Sequence, residues 1–120
     1  MKITIIGPGA IGLILASSLE EKNEISLLVK RENYDKLSHK GLWVIQNGSK
    51  KSVNARLTTE VSDCDVVIIA VKGYDLDGTK ELLNDFKGKI IICQNGLGMM
   101  DFNLSNNNEI FACLLYTSPS

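Results

Sequence analysis

Three cysteines, two prolines and a single tryptophan are all that this chain of 120 residues holds of those types. Cys64, Cys93 and Cys113 are odd in number and form no CxxC pair, so the sequence supports neither a disulfide framework nor a zinc site. A reducing cytoplasm is the expected compartment. Cys93 closes the apolar run Ile90-Ile91-Ile92-Cys93, where a free thiol behaves as a small hydrophobe. His39, the only histidine, lies in a polar stretch with no catalytic partner beside it in the sequence.

Excess charge is missing too. Thirteen basic residues stand against 14 acidic ones, a net charge of −1, which gives no footprint for nucleic acid or an anionic membrane surface. No stretch approaches the roughly 18 consecutive apolar residues of a membrane span. The opening, Lys2 followed by apolar residues as far as Leu15 and then by Ala16-Ser17-Ser18, imitates a secretory leader. Gly7-Pro8-Gly9 breaks the continuous helix that a leader needs, and no leader is expected.

What is present is the composition of a globular domain: 44% hydrophobic and 22% charged residues, in a length that suits one compact core. Short β-rich runs alternate with helical patterns. Lys2-Ile3-Thr4-Ile5-Ile6 reads as a buried strand stopped by Gly7, residues 10–22 as a helix, and residues 25–29 as a second strand. A short helix is expected over 33–40, closed by Gly41. Residues 42–45 and 52–57 are expected to pair as a hairpin turning at Asn47-Gly48. The unbroken apolar run Val66-Val67-Ile68-Ile69-Ala70-Val71 suits a strand covered on both faces. Helix over 75–86, strand over 89–93, a short helix over 99–104 and a last strand over 109–115 complete the series. Strand and helix in alternation predict an α/β fold, a Rossmann-type, doubly wound and mainly parallel sheet.

The chemistry-bearing motif is Gly7-Pro8-Gly9-Ala10-Ile11-Gly12, a GxGxxG set between a strand and a helix. Gly7 permits the tight turn, Gly9 lets a pyrophosphate approach the backbone, and Gly12 lets the helix lie close on the sheet. The helix N-terminus then offers free N–H groups and a partial positive charge to the phosphates.

At the end of the second strand, sites that select NAD carry an acidic residue for the ribose hydroxyls. Here the chain reads Val29-Lys30-Arg31. Two cations there attract the 2′-phosphate of NADP through charge-assisted bonds worth roughly 1.5–3 kcal/mol. Selectivity for NADP over NAD of roughly 10- to 100-fold is expected, with Glu32 partly offsetting the pair. Two more loops follow buried strands, Val71-Lys72-Gly73-Tyr74 and Gln94-Asn95-Gly96-Leu97-Gly98. Ligands of doubly wound sheets bind at such strand ends. Lys72 is placed to meet cofactor phosphate or ribose, and Asn95 offers a donor and an acceptor near a nicotinamide ring.

These segments carry a family resemblance. The opening through Gly12, the basic pair, Ala70-Val71-Lys72 and Gln94-Asn95-Gly96-Leu97-Gly98 resemble the N-terminal domain of the ketopantoate reductases, or 2-dehydropantoate 2-reductases. The resemblance implies NADPH-dependent reduction of 2-dehydropantoate, a 2-keto acid, to pantoate on the route to pantothenate, with cofactor held between this domain and a helical C-terminal one. It implies that Gly7, Pro8, Gly9, Ala10, Ile11 and Gly12 cradle pyrophosphate, that Lys30 and Arg31 hold the 2′-phosphate, and that Lys72 contacts cofactor. Asn95 would meet both the nicotinamide ribose and the substrate. The family's proton-donating lysine and assisting glutamate belong to the C-terminal domain, so no catalytic residue and no metal ligand is assigned within this chain.

The closing octapeptide Cys113-Leu114-Leu115-Tyr116-Thr117-Ser118-Pro119-Ser120 departs from the family pattern and resembles translated sequencing-adaptor sequence. The expected division is a dinucleotide-binding domain over 1–112, incomplete relative to the family, and a non-native tail over 113–120. Two other readings share the glycine motif: the cofactor domain of another β-hydroxyacid or sugar-nucleotide dehydrogenase, and a stand-alone nucleotide-sensing module. Oligomeric state is not legible.

Overall fold

The computed structural model describes residues 1–7, 9–61, 63–70, 79, 81–94 and 110–114. Six strands form one sheet in which every pairing is parallel: β1 (Lys2–Ile6), β2 (Glu24–Leu28), β5 (Arg56–Thr58), β6 (Val66–Ile69), β7 (Lys89–Gln94) and β8 (Ile110–Leu114). Their spatial order is β5-β2-β1-β6-β7-β8. The chain moves outward from β1 to β2 and β5, then restarts on the other side of β1 at β6. That reversal is the switch point at which doubly wound sheets bind ligands.

Successive side chains of a strand point to opposite faces, and both faces here are apolar. Ile3 and Ile5 of β1 and Ile25 and Leu27 of β2 join one core cluster, with Ala16 of α1 (Ala10–Leu19) and Leu42, Val44 and Val53. Ile6 and Leu28 point the other way. They join Val67, Ile69, Ile90 and Ile92 under Leu83 and Phe86. All four residues of β6 are buried, as the unbroken apolar run predicted.

α2 (Arg31–Lys40) buries no residue fully and runs two residues earlier than expected. Gly41, at φ 76°, closes it with its N–H on the Leu37 carbonyl. α1 stops at Leu19 rather than at residue 22, with Glu20 as its C-cap. In the segment before β7, Thr79, Glu81 and Leu82 are helical and residues 83–85 form a turn, so that helix ends before the expected residue 86. The expected helix over 99–104 lies outside the described residues.

The hairpin needs correction. Its turn is where Asn47-Gly48 placed it, both residues in the left-handed region at φ 51° and 77°, which a tight primed turn requires. The strands that meet there are β3 (Trp43–Gln46) and β4 (Ser49–Ser52), not 42–45 and 52–57. Residues 56–58 belong instead to β5 at the edge of the main sheet, paired with Ser26, Leu27 and Leu28. A two-residue turn fixes the register of its own strands. It says nothing of a strand whose partner lies 30 residues back.

Candidate functional site at the switch point

Because the strands are parallel and in register, their C-terminal ends share one edge. Ile6 is level with Leu28 on one side and with Ile69 on the other. The loops that leave these strands therefore emerge side by side. Gly7 is tied to the neighbouring strand by an N–H bond to the Leu28 carbonyl at 3.3 Å, and Ala70 donates to the Ile6 carbonyl at 2.8 Å.

Each glycine of the motif has its own reason to be glycine. Gly7 turns at φ 116°, a conformation L side chains rarely adopt. At Gly12 a Cβ would sit 2.0 Å from the Gly7 carbonyl oxygen, so the start of the helix is held against its own loop. Gly9 is different. It caps α1 at φ −70° and ψ −177°, which any residue can adopt, and a Cβ there would meet nothing within 4 Å. Nothing among the described residues demands a glycine at that point. What a side chain would fill is the open space in front of the helix N-terminus.

Among the described residues no side chain caps the N-terminus of α1, and its first turn carries no acidic residue. The first N–H groups of a helix have no intrahelical partner, and the macrodipole adds partial positive charge. Pro8 and the side chains of Ala10 and Ile11 lie outside the described residues.

The basic pair sits one strand away. Val29 is 1% exposed and donates to the Thr58 carbonyl at 2.8 Å, which fastens the end of β2 to the end of β5. Lys30 is the N-cap of α2, its carbonyl accepting the N–H groups of Asn33 and Tyr34, and Arg31 is the first helical residue. Both basic residues are exposed. They start a helix rather than a loop, and α2 too begins without a side-chain cap. Lys72 and Asn95 lie outside the described residues; the strands that precede them end on the same edge, at Ile69 and Gln94.

The opposite edge of the sheet holds the half-buried thiol of Cys64. Burial raises the pKa of Cys64, with a hydrogen bond to Thr4 opposing the shift, so the group stays a neutral thiol. Among the described residues no group of three or more His, Cys, Asp or Glu could hold a metal ion, and no helix is long and apolar enough to cross a membrane. One feature escaped the sequence reading: a cavity of about 350 Å³ beside α2, lined by Arg31, Tyr34 and Asp35 and by Arg56 and its neighbours in β5. A lone arginine in a three-residue edge strand carries no sequence signal.

Known proteins share this fold. A 2-dehydropantoate 2-reductase of Listeria monocytogenes is 32% identical over 109 residues, covering 84% of this chain and 37% of its own length. The crystal structure of a probable 2-dehydropantoate 2-reductase from Bacillus subtilis superposes with a TM-score of 0.84 at 24% identity, over 96% of this chain and 41% of that one. A D-mandelate dehydrogenase solved with NADH shares the fold at a TM-score of 0.63 and 20% identity, over 84% of this chain and 32% of its own. The chain thus spans little more than a third of the length of such relatives. The profile of the family described as Ketopantoate reductase PanE/ApbA matches residues 3–113, which takes in the glycine turn, the switch point and all but one residue at either end of the six-stranded sheet; the chain belongs to that family.

Proposed function

We propose that this chain is the dinucleotide-binding part of an NADPH-dependent reductase that converts 2-dehydropantoate to pantoate. Gly9 carries the reading. A glycine that neither its own backbone angles nor any described neighbour requires, in front of an uncapped helix start, is accounted for by a ligand that must approach the main chain there. The residues present fit a pyrophosphate: Gly9 leaves the space and the first turn of α1 supplies the donors.

The residues of 7–12 hold and orient the pyrophosphate. Lys30 and Arg31, at the start of α2, neutralise the 2′-phosphate; Lys72 and Asn95, which lie outside the described residues, are assigned to the cofactor from the sequence, Asn95 to the substrate as well. The dinucleotide, when bound, supplies hydride to the keto carbon. The family membership and the printed names of the relatives support 2-dehydropantoate as the acceptor. The Cys64 thiol, in no disulfide among the described residues, suits a reducing cytoplasm. The boundary at residue 112 and the foreign origin of 113–120 belong to the same proposal, although β8 carries on through Cys113 and Leu114.

Titration of the chain with NADPH and with NADH, followed by nicotinamide fluorescence, tests the cofactor. NADPH is expected to bind at least about 10-fold more tightly, about 1.4 kcal/mol. Equal affinities sink the NADP reading and leave a general dinucleotide site. Reading the source gene past the codon of Ala112 tests the boundary: a frame that continues into a second domain supports it, and one that stops at Ser120 overturns it.

A further inference from the structure

We infer that Asn47, at the tip of the hairpin, is a site of spontaneous covalent modification: its side-chain amide is displaced by the Gly48 backbone nitrogen to form a cyclic imide, which water reopens to aspartate or isoaspartate. The site does not depend on which cofactor the switch point holds. Glycine after asparagine favours this chemistry because no Cβ shields the attacking nitrogen and the backbone turns freely.

The fold leaves both reacting groups open. Asn47 and Gly48 are exposed between β3 and β4. Neither the Asn47 carboxamide nor the Gly48 N–H has a hydrogen-bond partner among the described residues, so no bond has to break before they meet. A Cβ built on Gly48 would meet nothing within 4 Å, so no described neighbour stands in the way of the ring. Other asparagines are guarded. The nitrogen that would attack Asn23 belongs to Glu24 and is bonded to the Met1 carbonyl at 3.0 Å, and the one that would attack Asn33 belongs to Tyr34 and is bonded to the Lys30 carbonyl at 3.1 Å. The Asn23 amide is itself engaged, donating to the Leu19 carbonyl at 3.0 Å.

Solvent hydroxide removes the Gly48 N–H proton. The nitrogen then bonds to Cγ of Asn47, the Cγ–Nδ2 bond breaks, and Nδ2 takes a proton from water and leaves as ammonia. Water hydrolyses the imide: opening at Cγ gives aspartate, and opening at the main-chain carbonyl gives isoaspartate, with the chain rerouted through the side chain. No oxidant or reductant takes part, and either product adds a carboxylate. Aspartate suits the tight primed turn, as asparagine does. Isoaspartate does not, because it adds a methylene to the main chain where both residues must be left-handed, at φ 51° and 77°, for Gln46 to pair with Ser49. β3 carries Val44 into the core, and β4 is tied to α1 through Lys51, which donates to the Ser17 carbonyl at 3.4 Å and faces Glu20 at 3.8 Å. A lost register is therefore felt as lost stability.

Trypsin cuts after Lys40 and Lys50, which isolates Asn47 as the only asparagine of residues 41–50. When the folded chain is aged in mildly alkaline buffer and digested, that peptide is expected to gain about one mass unit. The gain is expected to be at least about tenfold faster than in the peptides that hold Asn23 or Asn33, and labelling of the peptide by an isoaspartyl methyltransferase identifies the isoaspartate. Once most of Asn47 has been converted, the melting temperature of the chain is expected to fall by about 4 °C or more, whereas Asn47→Asp melts within about 1 °C of the fresh parent. Asn47→Gly keeps both left-handed positions and retains Asn95-Gly96, a second pair of the same type, and is expected to age with its melting temperature unchanged. A gain in the 41–50 peptide no faster than at Asn23 or Asn33, or one confined to chain unfolded in urea, overturns the site. An equal fall in melting temperature in aged Asn47→Gly overturns its link to the turn.

Discussion

The two ends of the sheet are built on opposite plans. At the N-terminal ends of the strands, polar groups find partners within the protein: Asp65 accepts from the Lys2 N–H through its carboxylate at 2.9 Å and from the Lys89 N–H through its carbonyl, while its own N–H reaches the Lys2 carbonyl. Glu20 takes the Asn54 N–H at 2.5 Å and faces Lys51, pinning the hairpin segment to the end of α1. At the C-terminal ends, α1 and α2 both start without side-chain caps, and Gly9 keeps a space clear. One end spends its hydrogen-bonding capacity on the fold, and the other holds it in reserve. Substitutions should therefore divide cleanly between losses of stability and losses of binding.

Gly12 and Gly9 give the sharpest contrast. Gly12→Ala drives a Cβ to 2.0 Å from a backbone oxygen that cannot swing aside, and a destabilisation of about 3 kcal/mol or more is expected in urea unfolding. Gly9→Ala meets nothing, so unfolding should shift by no more than about 0.5 kcal/mol while NADPH affinity falls at least about tenfold. If Gly9→Ala binds normally, the open space has another cause and the contrast between the two ends collapses. Glu20→Ala tests the closed end. It leaves the Asn54 N–H without its acceptor, and thermal melting should show a loss of about 1 kcal/mol with cofactor affinity unaltered.

Ser17→Ala probes the closed end at its weakest point. The Ser17 hydroxyl is buried and has no hydrogen-bond partner among the described residues, a desolvation cost they do not offset. Removing it should leave stability level or raise it by up to about 1 kcal/mol. A clear loss on unfolding would show that this hydroxyl has a partner, such as a buried water.

The open end was legible in the sequence because its determinants are local. A strand, a glycine turn and a helix start follow one another within a dozen residues, and each glycine contributes through its own backbone or its nearest neighbours. The buried run over 66–69 was legible for a similar reason, since burial on both faces leaves no polar residue to interrupt it. Arg56 was not. Its strand exists because Leu57 pairs beside Leu27, a partner far back in the chain, and the nearby Asn47-Gly48 turn drew those residues into the wrong pairing. Lys30 and Arg31 were found as cations, but the separation between them came only from the structure: the first turn of α2 sends Arg31 into the cavity and leaves Lys30 outside its lining.

The bond from Gly7 to the Leu28 carbonyl makes the sheet a gauge. It fastens the glycine turn to the strand that launches α2, so the offset between that turn and the end of β2 is tied to one inter-strand interval, about 4.8 Å. Under the proposal made here, a dinucleotide is measured against that interval as it binds. A ligand with only one of the two phosphate groups can engage one jaw of the gauge.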